Sequence, residues 1–150
     1  MIFVCNTGPL IALAKLARLS LLQDLEGERV LIPPMVHKEL WGKIGPEAPL
    51  IEAALHSFIS VAQPGTTGQH VEMAIARLDD GEKEVIGLGT SLQEEVVLLM
   101  DDQVGRRVAK ALGLSVVGMG PIAVRSTQFG GGISRITAFP HLSLQFESFL

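Results

Sequence analysis

The strongest indication of the fold is the run Val96-Val97-Leu98-Leu99-Met100, which is followed directly by Asp101-Asp102. Five consecutive apolar residues are typical of a strand that is buried on both faces. A helix from about Val104 to Leu112 is predicted to follow it. Because strands buried on both faces occur in parallel sheets that helices cover, this stretch favours an α/β fold.

The rest of the chain repeats this alternation of short strands and helices. Further strands are predicted at residues 2–5, 30–32, 59–62 and 116–117. Helices are predicted at residues 10–17 and 19–25 (two helices or one kinked helix), 35–40, 46–58, 71–78 and 82–92. This order predicts one mostly parallel sheet with helices on both sides.

Length and composition are those of one globular domain. The chain has 150 residues and 47% hydrophobic residues, with a mean hydropathy of +0.38. We therefore expect a single domain over residues 1–150, with a less regular tail at residues 126–150. Lys15 and Arg18 interrupt the most apolar stretch, so we expect no membrane segment, and the start of the chain is a poor signal peptide. The predicted location is the cytoplasm.

The single cysteine, Cys5, lies in an apolar run, and it has no second cysteine in the chain with which to form a disulfide. Buried free cysteines usually behave as small hydrophobic side chains. We expect Cys5 to be an inert core thiol, so stability has to come from packing.

The negative charge is concentrated at one set of positions. The net charge of −4 argues against a protein that covers duplex DNA with a broad basic face. Five acids account for it, because without them the rest of the chain would carry +1; they are Glu39, Glu82, Glu84, Asp101 and Asp102.

Polar side chains follow the predicted strands at the points where ligands bind in open parallel sheets. Asn6 and Thr7 follow the first strand, and Asp101 and Asp102 follow the strand at 96–100. Converging carboxylates repel each other unless cations neutralise them, and oxygen ligands favour Mg²⁺ or Mn²⁺ over Zn²⁺. The predicted catalytic and metal-binding residues are Asn6, Glu39, Glu82, Asp101 and Asp102.

Four stretches resemble, in order and spacing, the PIN domain family, in the branch of VapC-like and PilT N-terminus-like prokaryotic proteins related to toxins of toxin–antitoxin pairs. They are Met1–Leu13, Val30–Leu40, Leu78–Ile86 and Leu98–Ala109. Each motif alone is weak, but the four together cover roughly residues 1–125. The resemblance implies a three-layer α/β/α sandwich and a Mg²⁺- or Mn²⁺-dependent endoribonuclease.

The resemblance also implies partners, and the chain departs from the family's pattern at one position. It implies single-stranded RNA as substrate and an antitoxin-like protein as a partner. Separately, the apolar helices near the N-terminus offer a dimer face, so a homodimer is expected. The family has Asp at the end of the first strand, where this chain has Asn6. An amide oxygen can bind a hard cation but brings no charge, so weaker metal binding and weaker activation of water are expected.

Each candidate also has a purely structural interpretation. Asp101 or Asp102 would cap the next helix, and Glu82 would form a capping box with Asp79. Glu39 would pair with Lys43. Asn6 would close a turn.

Two further residues are predicted to bind substrate. Thr7 would either hydrogen-bond a ligand or serve as a turn hydroxyl. Arg106 would either reach an RNA phosphate or pair with Asp102 one helical turn away. Glu84 lies off the helix face that carries Glu82, so Glu82 is the predicted ligand of the two.

Two functional hypotheses remain open. The first is a metal-dependent endoribonuclease that hydrolyses RNA phosphodiesters, for example as the toxin of a toxin–antitoxin pair. The alternative is a catalytically weakened or inactive PIN-like module that binds RNA or protein, because Asn6 replaces the family's aspartate.

Overall fold

The computed structural model describes residues 1–23, 29–43 and 45–118, so the predicted tail at 126–150 lies outside the described residues. The five strands are β1 (Ile2–Cys5), β2 (Arg29–Ile32), β3 (Ile59–Val61), β4 (Val96–Leu99) and β5 (Ser115–Val117). The seven helices described are α1 (Thr7–Lys15), α2 (Ser20–Gln23), α3 (Pro34–Lys43), α4 (Ala48–Leu55), α5 (Gln69–Ile75), α6 (Asp80–Ser91) and α7 (Gln103–Ala111).

The strands form one sheet in the order β3-β2-β1-β4-β5, and all four neighbouring pairs are parallel. Helices flank this sheet, which gives the predicted three-layer α/β/α architecture. The predicted fold class is therefore confirmed.

The strand order places a topological switch point beside β1. The chain runs from β1 outward through β2 to β3, and then crosses to β4 on the other side of β1. Helices that follow β1 and β4 therefore leave the sheet in different directions and open a crevice between them. The backbone N–H of Asn6 donates to the Leu99 carbonyl at 2.9 Å, so the carboxyl ends of these two strands lie side by side.

The central strands are buried on both faces, as the sequence predicts. Every residue of β1 is at most 1% exposed, and every residue of β4 is at most 8% exposed. Burial raises the pKa of the Cys5 thiol to about 12, so this thiol stays protonated at neutral pH. Cys5 is a core residue and not a nucleophile.

Some helix boundaries differ from those predicted. α1 begins at Thr7 because the Asn6 side chain caps it. α4 is shorter than the predicted 46–58, because turns occupy residues 46–47 and 56–58 at its two ends. The first two predicted helices are separate helices and not one kinked helix. Within the described ranges, no helix combines the length and apolarity required to cross a membrane.

We predict that Leu98→Ala lowers the free energy of unfolding by about 2–5 kcal/mol, because it leaves a cavity beneath the central strands. Leu98 is 0% exposed. Val104→Ala is the control, since Val104 is 58% exposed on α7 and its loss should change stability by no more than about 0.5 kcal/mol. Urea unfolding of both variants measures the difference, and equal stabilities would contradict the assignment of β4 to the core.

Candidate metal centre

Asn6 stands at the carboxyl end of β1 and turns the chain into α1. Its Oδ1 accepts a hydrogen bond from the Thr7 backbone N–H at 2.9 Å. Asn6 is therefore the N-cap of α1. The same residue lies at the switch point between β1 and β4, so this role does not remove it from the candidate site.

Thr7 and Glu39 form the first contact of the site. The Thr7 hydroxyl donates to Glu39 Oε2 at 2.7 Å, and Thr7 is only 4% exposed. Because Thr7 begins α1 and Glu39 lies in the middle of α3, the bond ties two helices together at the edge of the sheet. Glu39 thus has a buried partner on another helix. This partner, Thr7, differs from Lys43, the partner that the structural interpretation predicted.

Gly81 allows α6 to approach the Glu39 carboxylate. A Cβ atom at position 81 would lie 2.7 Å from Glu39 Oε2 and 2.8 Å from Oε1, which is closer than real side-chain contacts allow. A glycine is therefore required unless Glu39 moves. This contact places Glu39 beside the first turn of α6, which also carries Glu82.

Glu82 is a buried acid at the start of α6. It is 6% exposed and forms the predicted capping box: its backbone N–H donates to Asp79 Oδ1 at 2.8 Å, and its Oε2 accepts from the Asp79 N–H at 3.3 Å. The predicted choice of Glu82 as the inward-facing acid agrees with this burial. Glu82 therefore takes part in the cap of α6 and also lies at the candidate site.

Asp102 extends the acidic site from α6 to α7. Its Oδ2 accepts from the Gly105 N–H at 2.8 Å, so Asp102 caps α7, as its structural interpretation predicts. Gly105 also faces Glu82, because a Cβ atom there would lie 3.5 Å from the Glu82 carboxyl carbon. Asp102 and Glu82 thus both lie beside Gly105, in the first turn of α7.

Burial raises the pKa of Glu82 above its ordinary value, and the negative charges of Asp79 and Asp102 raise it further. The hydrogen bond from the Asp79 backbone N–H opposes this shift, whereas the nearby Asp102 carboxyl group favours the protonated form of Glu82. Either a proton or a cation would therefore reduce the repulsion between Glu82 and Asp102.

Asp101 lies on the other side of the strand end, towards β5. A Cβ atom at Gly118 would lie 3.3 Å from Asp101 Oδ1 and 3.1 Å from Arg106 Nη1, so both side chains flank the residue after β5. Among the described residues, the Nε atom of Arg106 is buried and has no hydrogen-bond acceptor. Arg106 thus lies near Asp101 at the end of β5.

Glu84 has a contact that the sequence analysis did not find. Its Oε2 accepts a hydrogen bond from the Met35 backbone N–H at 2.7 Å, at the start of α3. The residues before Met35 are Pro33 and Pro34, which have no side-chain acceptor and no N–H. The missing local cap was a usable signal, but the sequence could not show which distant acid would supply it.

The donor chemistry fits a hard divalent cation, because the candidate side chains offer only carboxylate and amide oxygens. The positions of these side chains fit a metal ion less well than their chemistry does. Within the ranges 1–23, 29–43 and 45–118, no three histidine, cysteine or acidic side chains come together as a ready-made set of metal ligands. Glu82 and Asp102 form a like-charged pair, and Glu39 lies against the neighbouring residue Gly81.

Comparison with known proteins agrees with the architecture. A family model described as a PIN domain matches residues 2–134. The fold is similar to that of a PilT N-terminus domain protein from the hyperthermophilic archaeon Sulfolobus solfataricus, with a TM-score of 0.56 and 18% identity over 88% of this chain and 98% of that one. No curated protein matches the chain.

We predict that Thr7→Val lowers the free energy of unfolding by about 1–2 kcal/mol at neutral pH, because Glu39 loses a hydroxyl donor while the side-chain shape is kept. Thermal and urea unfolding measure the change. Thr66→Val is the matched control, since Thr66 is exposed. Equal stabilities of the two variants would show that the bond between Thr7 and Glu39 contributes nothing.

We further predict that the metal-free protein becomes less stable as the pH rises from 4.5, the ordinary pKa of a glutamate, through the raised pKa of Glu82. In that range the folded state binds more protons than the unfolded state, so the free energy of unfolding falls with pH. Glu82→Gln removes this dependence and is more stable than the unaltered chain at neutral pH.

Urea unfolding between pH 4 and pH 8 in EDTA tests the contribution of Glu82. Glu72→Gln, at an exposed position of α5, is the control for loss of one negative charge. If Glu82→Gln and Glu72→Gln have the same pH dependence as the unaltered chain, Glu82 makes no such contribution.

Proposed function

The chain belongs to the PIN domain family, and from that premise we propose that it is a Mg²⁺- or Mn²⁺-dependent endoribonuclease that hydrolyses RNA phosphodiesters. Proteins of this family are often nucleases and generally depend on divalent metal ions. One observation of this chain carries the proposal: the buried acid Glu82 lies against Gly105, in the turn that Asp102 caps, at the switch point of the sheet. A divalent cation would relieve the repulsion between these two groups.

Glu39, Glu82 and Asp102 would hold the metal, with Asn6 and Asp101 at the edge of the same site. All five come from the carboxyl ends of strands or from the helices that follow. When bound, Mg²⁺ or Mn²⁺ activates water and stabilises the leaving oxygen in phosphodiester hydrolysis. The chain's own contribution is to hold the acids desolvated and fixed in place.

Arg106 would bind an RNA phosphate. Its buried Nε lacks an acceptor within the described parts of the chain, and its guanidinium lies beside Gly118, at the end of β5. A phosphate oxygen would satisfy that donor with a charge-assisted hydrogen bond. Thr7 would act in the site mainly by holding Glu39, because its hydroxyl already donates to that carboxylate.

A second candidate function is supported by Asn6. Its amide brings no charge, and its oxygen is already used by the Thr7 N–H. With one fewer carboxylate, metal binding is weaker, and the domain would then act as a catalytically inactive RNA-binding or protein-interaction module.

The proposed partners are a second copy of the chain, an antitoxin-like protein and RNA, and each would bind at the surface of the domain. Leu16, at the end of α1, and Leu50, on α4, are 53% and 45% exposed, and these two helices contact each other. These exposed leucines on neighbouring helices support the proposal of a homodimer. An antitoxin-like protein would bind by covering the acidic edge of the sheet, and single-stranded RNA is the proposed substrate.

We expect the full chain to cleave single-stranded RNA with Mn²⁺ and to stop in EDTA. Glu39→Gln lowers the cleavage rate at least about tenfold, because a charged ligand is lost. Asn6→Asp raises the rate, because it adds a charged ligand and keeps an oxygen that caps Thr7. Gel analysis of a labelled RNA measures each rate.

Gln93→Asp is the matched control for Asn6→Asp, because it adds the same charge at the amino-terminal end of β4. Cleavage by the unaltered chain supports the enzyme, and cleavage only after Asn6→Asp supports the inactive module. If neither chain cleaves RNA or binds Mn²⁺, both forms of the site are excluded.

A further inference from the structure

We infer that Glu84 is a positioning residue of the metal site, which acts by fixing α3, and with it Glu39, against α6. This inference deepens the proposed function and rests on it, because it gives Glu84 a role in metal binding through Glu39. Glu84 itself lies two residues beyond Glu82 and is not proposed as a ligand.

The first step is the N-terminus of α3, which cannot cap itself. Pro34 is its first residue, and Pro33 precedes it, so neither supplies the oxygen side chain that usually accepts from the first N–H groups of a helix. The Met35 N–H is the first donor of the helix. Its acceptor is Glu84 Oε2 at 2.7 Å, on a helix 49 residues further along the chain. A carboxylate at this end of a helix is also favoured by the helix dipole.

The second step is that α3 and α6 touch at another point one turn away. Met35 pairs with Glu84, and Glu39, four residues later, lies against Gly81, three residues earlier. The two helices therefore run in opposite directions at this contact. Two contacts, one at each turn, fix the position of one helix along the other.

The third step connects this register to the metal site. A shift of α3 by one turn along α6 would move Glu39 by roughly 5.4 Å. Such a shift would break its hydrogen bond with Thr7 and remove it from Gly81. Glu84 opposes this shift because it accepts the hydrogen bond from the Met35 N–H. It does so at the end of α3 where Pro33 and Pro34 offer no acceptor side chain.

The test separates the reach of the Glu84 side chain from its charge. Glu84→Gln keeps an oxygen at the same distance and loses the charge, whereas Glu84→Asp keeps the charge and is one methylene too short. Glu84→Ala loses both. Glu52→Gln, at an exposed position of α4, is the control for charge alone. If Glu84→Ala does not fold, the comparison of Glu84→Gln with Glu84→Asp decides.

Two measurements on the full chain are required. The first is the dissociation constant for Mn²⁺ alone, from calorimetric titration. We expect Glu84→Asp and Glu84→Ala to raise it about tenfold, as for other residues that orient metal ligands, and Glu84→Gln and Glu52→Gln to leave it within about threefold. The second is NMR of the metal-free chain. Faster exchange of the Met35 amide and a shifted Glu39 carboxyl ¹³C resonance are expected in the Asp and Ala variants only.

The outcomes distinguish this inference from the proposed function. An unchanged Mn²⁺ dissociation constant in Glu84→Asp overturns the inference, and so does an equal loss in Glu84→Gln and Glu84→Ala, which would implicate charge and not reach. If the unaltered chain binds no Mn²⁺, the proposed function fails. The Glu39 resonance then decides by itself: a shift in Glu84→Asp retains the positioning role, and an unmoved resonance overturns it.

Discussion

The burial of one ionisable group, Glu82, is the constraint on which the site depends. Glu82 is 6% exposed, and its neighbours Asp79 and Asp102 are also acids, so both desolvation and repulsion act against its charge. The capping box with Asp79 provides partial compensation, because the Asp79 N–H donates to the Glu82 carboxylate. A cation at the same edge of the sheet would favour the charged form of Glu82.

Helix α6 combines the structural and chemical parts of this arrangement. Within its first five residues, Gly81 contacts Glu39, Glu82 faces Asp102, and Glu84 accepts from the start of α3. The hydrophobic residues that follow, Val85 and Ile86, are 0% exposed and anchor the helix in the core. The position of the acidic groups is therefore determined by the packing of an apolar helix face.

The fold could be predicted from the sequence to a large extent, because strands such as β1 and β4 are apolar throughout and follow one another with helices between them. The local part of the site was also predictable: the capping box of Asp79 and Glu82 involves residues three apart. Contacts over long distances in the chain were not. Thr7 and Glu39 are 32 residues apart, and Glu84 and Met35 are 49 apart, so their pairing depends on how helices pack and not on a sequence pattern.

The central position of β1 has a consequence for synthesis on the ribosome. β1 must pair with β4, whose first residue is Val96, before its second edge is covered. Asp102 is synthesised later still, so a nascent chain that has reached only α6 holds Glu39 and Glu82 without their third acid. Domains of this size generally fold as units. An emerging polypeptide therefore lacks the complete acidic edge of the sheet until translation has passed β4 and reached the residues that follow it.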